Sequence, residues 1–174
     1  MMSREENDIA EMAKSALETL LTRMGVTASV TSGTKAPADE EEGITATITL
    51  DIKGEDMGIL IGRRGQTLSC LQHIVRLIVA QQRKAWVPIV IDVEGYKQRR
   101  YEALEGLAGR ITEQVKIKRM PFTLEPMSAY ERRIIHLTLA DHPDVTTQSI
   151  GQGEARKVVI LPKEQSYPQP PPSK

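Results

Sequence analysis

The chain has 174 residues with 40% hydrophobic content, enough for one ordinary domain or two small ones with buried cores. Its 23 basic and 23 acidic residues cancel overall but not locally: residues 1–50 carry 4 basic and 9 acidic side chains, leaving 19 basic and 14 acidic from residue 51 onward. One cysteine excludes an intramolecular disulfide, the lack of a long apolar run or signal-type N-terminus predicts a cytoplasmic chain with no membrane span, and six aromatic residues are too few to stack successive bases.

Ser3 and Glu6 form a capping-box pattern, and Ile9, Met12, Ala13, Ala16, Leu17, Leu20, Leu21 and Met24 follow at helical spacing until Gly25 offers a C-cap. A first helix is predicted there. Residues 26–32 and 43–52 alternate β-branched with small or polar side chains, and the segment between them, with its acidic run at 39–42, reads as the solvated tip of an antiparallel hairpin. Residues 57–62 are a short apolar segment of one or two helical turns, followed by an Arg-Arg turn and a helix over about 66–82. In that helix Leu68, Leu71, Val75, Ile78 and Val79 make an inner stripe that Ile74 and Leu77 widen, which predicts a largely buried helix with Cys70 as a core thiol and His73 on its flank. Residues 87–95 read as a third strand ending at Gly95.

From 96 to about 118 the sequence is highly charged, with Tyr101, Leu104, Ala108, Ile111 and Val115 on one stripe of a long amphipathic helix. Residues 120–127 read as a strand, and Ser128 with Glu131 is a second capping box that opens a helix to about 140. Residues 145–151 and 155–162 read as two further strands joined by a Gly-Gln-Gly-Glu turn, and the Pro-rich residues 163–174 lack the apolar content to pack. The expected organisation is therefore α+β, with one module over 1–95 (αββααβ), a second over 96–162 (αβαββ) including its leading connector helix, and a disordered tail over 163–174.

The residues Gly62-Arg63-Arg64-Gly65 lie between two predicted helices, directly after Ile61. Glycine permits positive φ and close backbone approach, and a helix N-terminus is electropositive, so two arginines there favour an anion. A P-loop needs a longer glycine loop ending in Lys-Ser/Thr, whereas Gln66 and Thr67 follow here, and the dinucleotide fingerprint lacks its third glycine. In this element order the turn resembles the GxxG loop of a type II KH domain. That resemblance implies that Ile61, Gly62, Arg63, Arg64 and Gly65 clamp the backbone of single-stranded RNA, with Ile59, Leu60 or Ile61 flooring an apolar groove.

On the second capped helix, Arg132 and His136 stand four residues apart and can project from one face. The surrounding residues 124–162 resemble the single-stranded nucleic-acid-binding domain named for an Arg followed, with three residues between, by a His. The resemblance implies that Arg132 and His136 act on the nucleic-acid backbone, with Arg133, Arg156 and Lys157 as peripheral contacts. The two modules in this order resemble the bacterial Jag family, also called SpoIIIJ-associated protein. That resemblance implies a non-enzymatic single-stranded RNA-binding protein, a post-transcriptional regulator or RNA chaperone, for which no cofactor or metal is expected. Single-stranded DNA is an alternative ligand, and a homodimer or a pairing with a small KH protein is an expected assembly. A rival reading makes the first module a protein-interaction adaptor and leaves nucleic acid to the second alone. Typical members carry a small N-terminal domain and linker that this sequence does not include, so roles that depend on them are not expected of these residues. The Asp141–Asp144 segment, with His142 between its carboxylates, reads as a helix C-terminal turn rather than a metal site.

Overall fold

The structure is a computed structural model that describes residues 4–35 and 47–163. Ser3, the acidic run at 39–42 and nearly all of the Pro-rich segment lie outside the described residues. The chain divides into two compact units, Met1–Lys97 and Gln98–Lys174, and the architecture is mixed α+β.

In the first unit, helix α1 (Arg4–Arg23) ends in a Schellman motif: Gly25 sits at φ 71°, its N–H donates to Thr22 O at 3.0 Å, and Val26 N–H donates to Leu21 O at 2.9 Å. Because Val26 is committed to closing the helix, strand β1 begins later than the pattern suggests, at Ser29–Lys35, and pairs antiparallel with β2 (Thr47–Lys53) in the register Val30↔Ile52. Helix α2 (Gly58–Ile61), a 3-10 turn (Arg63–Gly65) and helix α3 (Gln66–Arg83) then cross over to β3 (Ile89–Val93). A crossover of that length lets β3 pair parallel to β2, with Leu50 opposite Ile91, giving the sheet order β1-β2-β3. The core is a single aliphatic cluster in which Leu17, Ile48, Leu50, Ile52, Leu60, Val75, Val79, Ile89 and Ile91 are fully buried. Each such side chain contributes about 1.5–3 kcal/mol on burial, which makes the cluster the dominant stabilising term.

Helix α3 is less buried than its composition predicts. Leu68, Leu71, Val75 and Val79 face the core, but Ile74 is 44% and Leu77 56% exposed, and Cys70 is an exposed thiol rather than a core one. One helix covering one sheet buries one stripe, and residues a third of a turn away project outward however apolar they are. Exposed His73 lies on that outer side as expected. Two polar side chains of α3 also close the free edge of β3: Gln72 Oε1 accepts from Ile91 N–H at 3.0 Å, and Arg76 Nε donates to Ile89 O at 2.7 Å. Lys97 Nζ donates to the same Gln72 oxygen at 2.8 Å and fixes that amide.

In the second unit, helix α4 (Tyr96–Lys118) precedes β4 (Phe122–Thr123), α5 (Ala129–Thr138), β5 (Val145–Ile150) and β6 (Lys157–Pro162). The antiparallel sheet has the order β4-β6-β5, with Gln148 opposite Val159. The strand predicted over 120–127 shortens to two residues because Pro121 and Pro126 cannot donate to a ladder. Leu104, Ala108, Ile111 and Val115 of α4 pack with Ile134, Ile135, Val158 and Ile160. Tyr101, placed on that stripe by periodicity, is exposed, while Thr112 is buried. The second capping box forms as the sequence predicts: Ser128 N–H donates to Glu131 Oε2 at 3.0 Å, and Glu131 N–H donates to Ser128 Oγ at 3.3 Å. The other Glu131 oxygen takes Arg100 Nε at 2.8 Å, so one buried carboxylate both caps α5 and ties it to α4.

Candidate nucleic-acid interface

The turn between α2 and α3 requires its glycines. Gly62 sits at φ 68°, ψ −171°, a region essentially closed to other residues, and a Cβ on it would lie 2.0 Å from Thr67 Oγ1. Gly65 is left-handed at φ 77° and a Cβ there would lie 2.9 Å from the Tyr96 ring. Between them Arg64 is also left-handed, at φ 54°, ψ 34°, a conformation that costs a non-glycine residue about 1–2 kcal/mol. That backbone turns Arg63 out to solvent and leaves Arg64 half-buried. Gly65 is the N-cap of α3 and supplies no side-chain cap, so the positive end of an 18-residue helix directly follows the two arginines in the chain. Ile61 is partly buried against the core and Ile59 is exposed, whereas fully buried Leu60 belongs to the core and cannot floor a groove.

The second site is built from side chains. One turn apart on α5, Arg132 and His136 face strand β5, whose Thr147 and Ser149 alternate onto the same side of the sheet. His136 Nδ1 lies 2.6 Å from Thr147 Oγ1 and Nε2 lies 2.8 Å from Ser149 Oγ. Arg132 Nη1 donates to the same Ser149 hydroxyl at a long 3.4 Å, while its Nε is shut off from water with no hydrogen-bond acceptor among the described residues. Burial, and then the positive charges of Arg132 and Arg156, hold the His136 pKa below the ordinary histidine value.

Of the other residues singled out from sequence, Arg156 lies at the end of the β5–β6 connection and is close enough for its charge to act on His136. Arg133 lies one position further round α5 and is exposed. Lys157 pairs with Ile150, one register step from the Ser149–Val158 pair, and so starts from the opposite face of the sheet. Sequence reading missed Thr147 and Ser149. Their only signal is a Thr-x-Ser alternation inside a strand whose neighbour β6 is apolar. Asp141–Asp144 forms a turn in which His142 Nδ1 accepts from Asp144 N–H at 3.2 Å.

An αββααβ unit with a Gly-x-x-Gly turn, followed by a helix-and-sheet unit bearing an Arg/His pair, defines a paired KH and Arg-xxx-His domain protein. Two family models match accordingly: "KhpA/KhpB, KH domain" over residues 14–91, and the Arg-xxx-His (R-3-H) domain over residues 102–162. The chain belongs to the Jag family, whose members pair these two domains. A protein named RNA-binding protein KhpB from Clostridium symbiosum is 44% identical over 119 residues, which cover 68% of this chain and 54% of that protein. Its namesakes from Bacillus subtilis and Lactiplantibacillus plantarum are 37% and 32% identical, over 67% and 70% of this chain and 57% and 40% of their own lengths. The chain thus spans about half the length of the curated relatives it matches. Among the described residues no helix is long and apolar enough to cross a membrane.

Proposed function

We propose that this chain binds single-stranded RNA through two backbone clamps and catalyses no reaction. Residues 62–65 take one phosphate segment, and Arg132 with the hydroxyls of β5 takes another. The observation that carries this reading is the Arg132 guanidinium held beside the Ser149 hydroxyl, with Thr147 and Ser149 both ordered on His136, a cluster of one charged and two neutral donors that suits an anionic oxygen. Matches to two nucleic-acid-binding domain families and the names of the relatives support RNA as the ligand. Two weak sites on one chain raise overall affinity through effective concentration, which suits a protein of zero formal net charge. A cytoplasmic post-transcriptional regulator or RNA chaperone is the cellular role this binding mode serves. The exposed apolar residues Ile74 and Leu77 on α3 also favour a protein-association surface on the first unit, for a homodimer or a small KH partner.

Fluorescence anisotropy with a pool of single-stranded RNA at two salt concentrations tests the reading, comparing the parent with Arg63→Asp/Arg64→Asp and with Arg132→Ala. Each variant is expected to weaken binding by about tenfold or more, and loss of two phosphate contacts should flatten the log–log salt slope by about 1.4. A folded parent that leaves the RNA anisotropy unchanged refutes it. If only the first-unit variant is silent, that turn is not an RNA clamp and is to be tested as a protein-docking surface.

A further inference from the structure

Both ring nitrogens of His136 are already occupied, by Thr147 Oγ1 at 2.6 Å and Ser149 Oγ at 2.8 Å, so the imidazole has no N–H left to offer a ligand. The charged groups that act on it are Arg132 from its own helix and Arg156 from the β5–β6 connection, and both oppose a third positive charge. The two hydroxyls that β5 turns toward it are uncharged. We propose that His136 is a positioning residue rather than a phosphate contact: as a neutral imidazole it sets the proton direction of the Thr147 and Ser149 hydroxyls, and the anion is gripped by the Arg132 guanidinium together with the hydroxyl proton that the ring leaves free. The inference rests on the RNA-clamp reading and assigns the division of labour inside its second site.

Proton bookkeeping supports it. A neutral imidazole has one donor and one acceptor, so it takes the proton of one hydroxyl and gives its own to the other. If Nδ1 carries the proton, it donates to Thr147 Oγ1, and Ser149 Oγ–H donates to Nε2. The Thr147 hydroxyl proton is then free. If Nε2 carries the proton, it donates to Ser149 Oγ beside Arg132 Nη1, Thr147 donates to Nδ1, and the Ser149 proton is free. In either tautomer one hydroxyl donor is left for a ligand oxygen. Arg132 Nη1 is turned to the Ser149 oxygen, which holds the guanidinium beside that hydroxyl. The result is a two-donor anion cradle, one guanidinium N–H and one hydroxyl, whose order depends on a histidine that does not touch the anion.

The test uses the whole chain, with 15N-labelled imidazole spectra of His136 from about pH 5 to 8 and RNA anisotropy for Arg132→Ala, His136→Ala and His136→Gln. A neutral ring gives two widely separated nitrogen shifts near pH 7, and that is the expected spectrum. His136→Ala should lose about tenfold in affinity, and His136→Gln, whose neutral amide also has a donor side and an acceptor side, should recover to within about threefold of the parent. Arg132→Ala should lose at least as much as His136→Ala. Two results overturn the inference: averaged imidazolium shifts near neutral pH, or a His136→Gln variant as weak as His136→Ala while its amide spectrum stays that of the folded parent. Should His136→Gln not fold, the ring spectrum of the parent decides alone. A parent that does not bind RNA at all refutes the clamp reading instead, and the ring spectrum still decides whether His136 is the neutral brace.

Discussion

The two candidate sites achieve order by opposite means. The turn after α2 is held by backbone: Gly62 in a conformation closed to other residues, then Arg64 and Gly65 both left-handed. Arg63 is exposed and Arg64 half-buried, so shape lies in the main chain and charge is supplied by the two arginines. The site on α5 and β5 has ordinary backbone and is held by a side-chain network, in which one histidine, two hydroxyls and one guanidinium occupy one another. A backbone-built site is fragile to added atoms; a network-built site is fragile to lost ones.

Adding one methyl group gives the largest expected effect. Gly62→Ala must either expel Thr67 or unwind the start of α3, and should destabilise the first unit by about 3 kcal/mol or more while the second unit keeps its unfolding transition. Thermal unfolding followed separately in the two units measures this, and an unchanged first transition would mean that the turn relaxes easily. In the second unit, removal is the equivalent injury. Glu131→Ala removes the carboxylate half of the α5 capping box and strands Arg100, at an expected cost of about 3 kcal/mol, because one nearly buried carboxylate serves both partners. Denaturant titration should show that loss as a lower midpoint with little change in slope.

Smaller, and confined to the network site, is a dependence on pH. The folded His136 pKa lies below the ordinary histidine value of about 6.5, so the unfolded chain binds the proton more readily. The stability from this group is therefore complete above about pH 6.5 and declines as the pH falls from there through the folded pKa. His136→Gln should remove that decline, as read by unfolding midpoints across the acid range. The smallest expected effect separates stability from binding in the backbone-built turn. Arg64→Gly relieves a left-handed arginine and should change stability by no more than about 1 kcal/mol in either direction, yet weaken RNA binding.

Much of the architecture was written in local pattern. The helix at the N-terminus, the Gly25 stop, the Ser128/Glu131 box and the αββααβ then αβαββ order all follow from periodicity and capping chemistry, which act between residues a few positions apart. Ile74, Leu77 and Cys70 were misplaced into the interior for a definite reason. A helix with apolar residues on several sides carries no periodic signal saying which side meets the sheet, and that choice is made by the four residues Leu68, Leu71, Val75 and Val79 that fit β-sheet neighbours far away in sequence. Tyr101 fell to the same ambiguity on α4.

The candidate sites divide along the same line. Gly62-Arg63-Arg64-Gly65 is legible because a short-range conformational demand leaves a short-range residue signature, and Arg132 and His136 are legible as an i, i+4 pair. Thr147 and Ser149 are not, since nothing within a few residues of them reveals that an α5 imidazole will sit 2.6 and 2.8 Å away. The sequence by itself determined the elements, their order and the positions where glycine and capping residues are obligatory, because these depend on local sterics and hydrogen bonds. Tertiary structure alone decided the parallel pairing of β2 with β3, the exposed side of α3 and the lowered pKa of His136, because each arises from groups that only folding brings together.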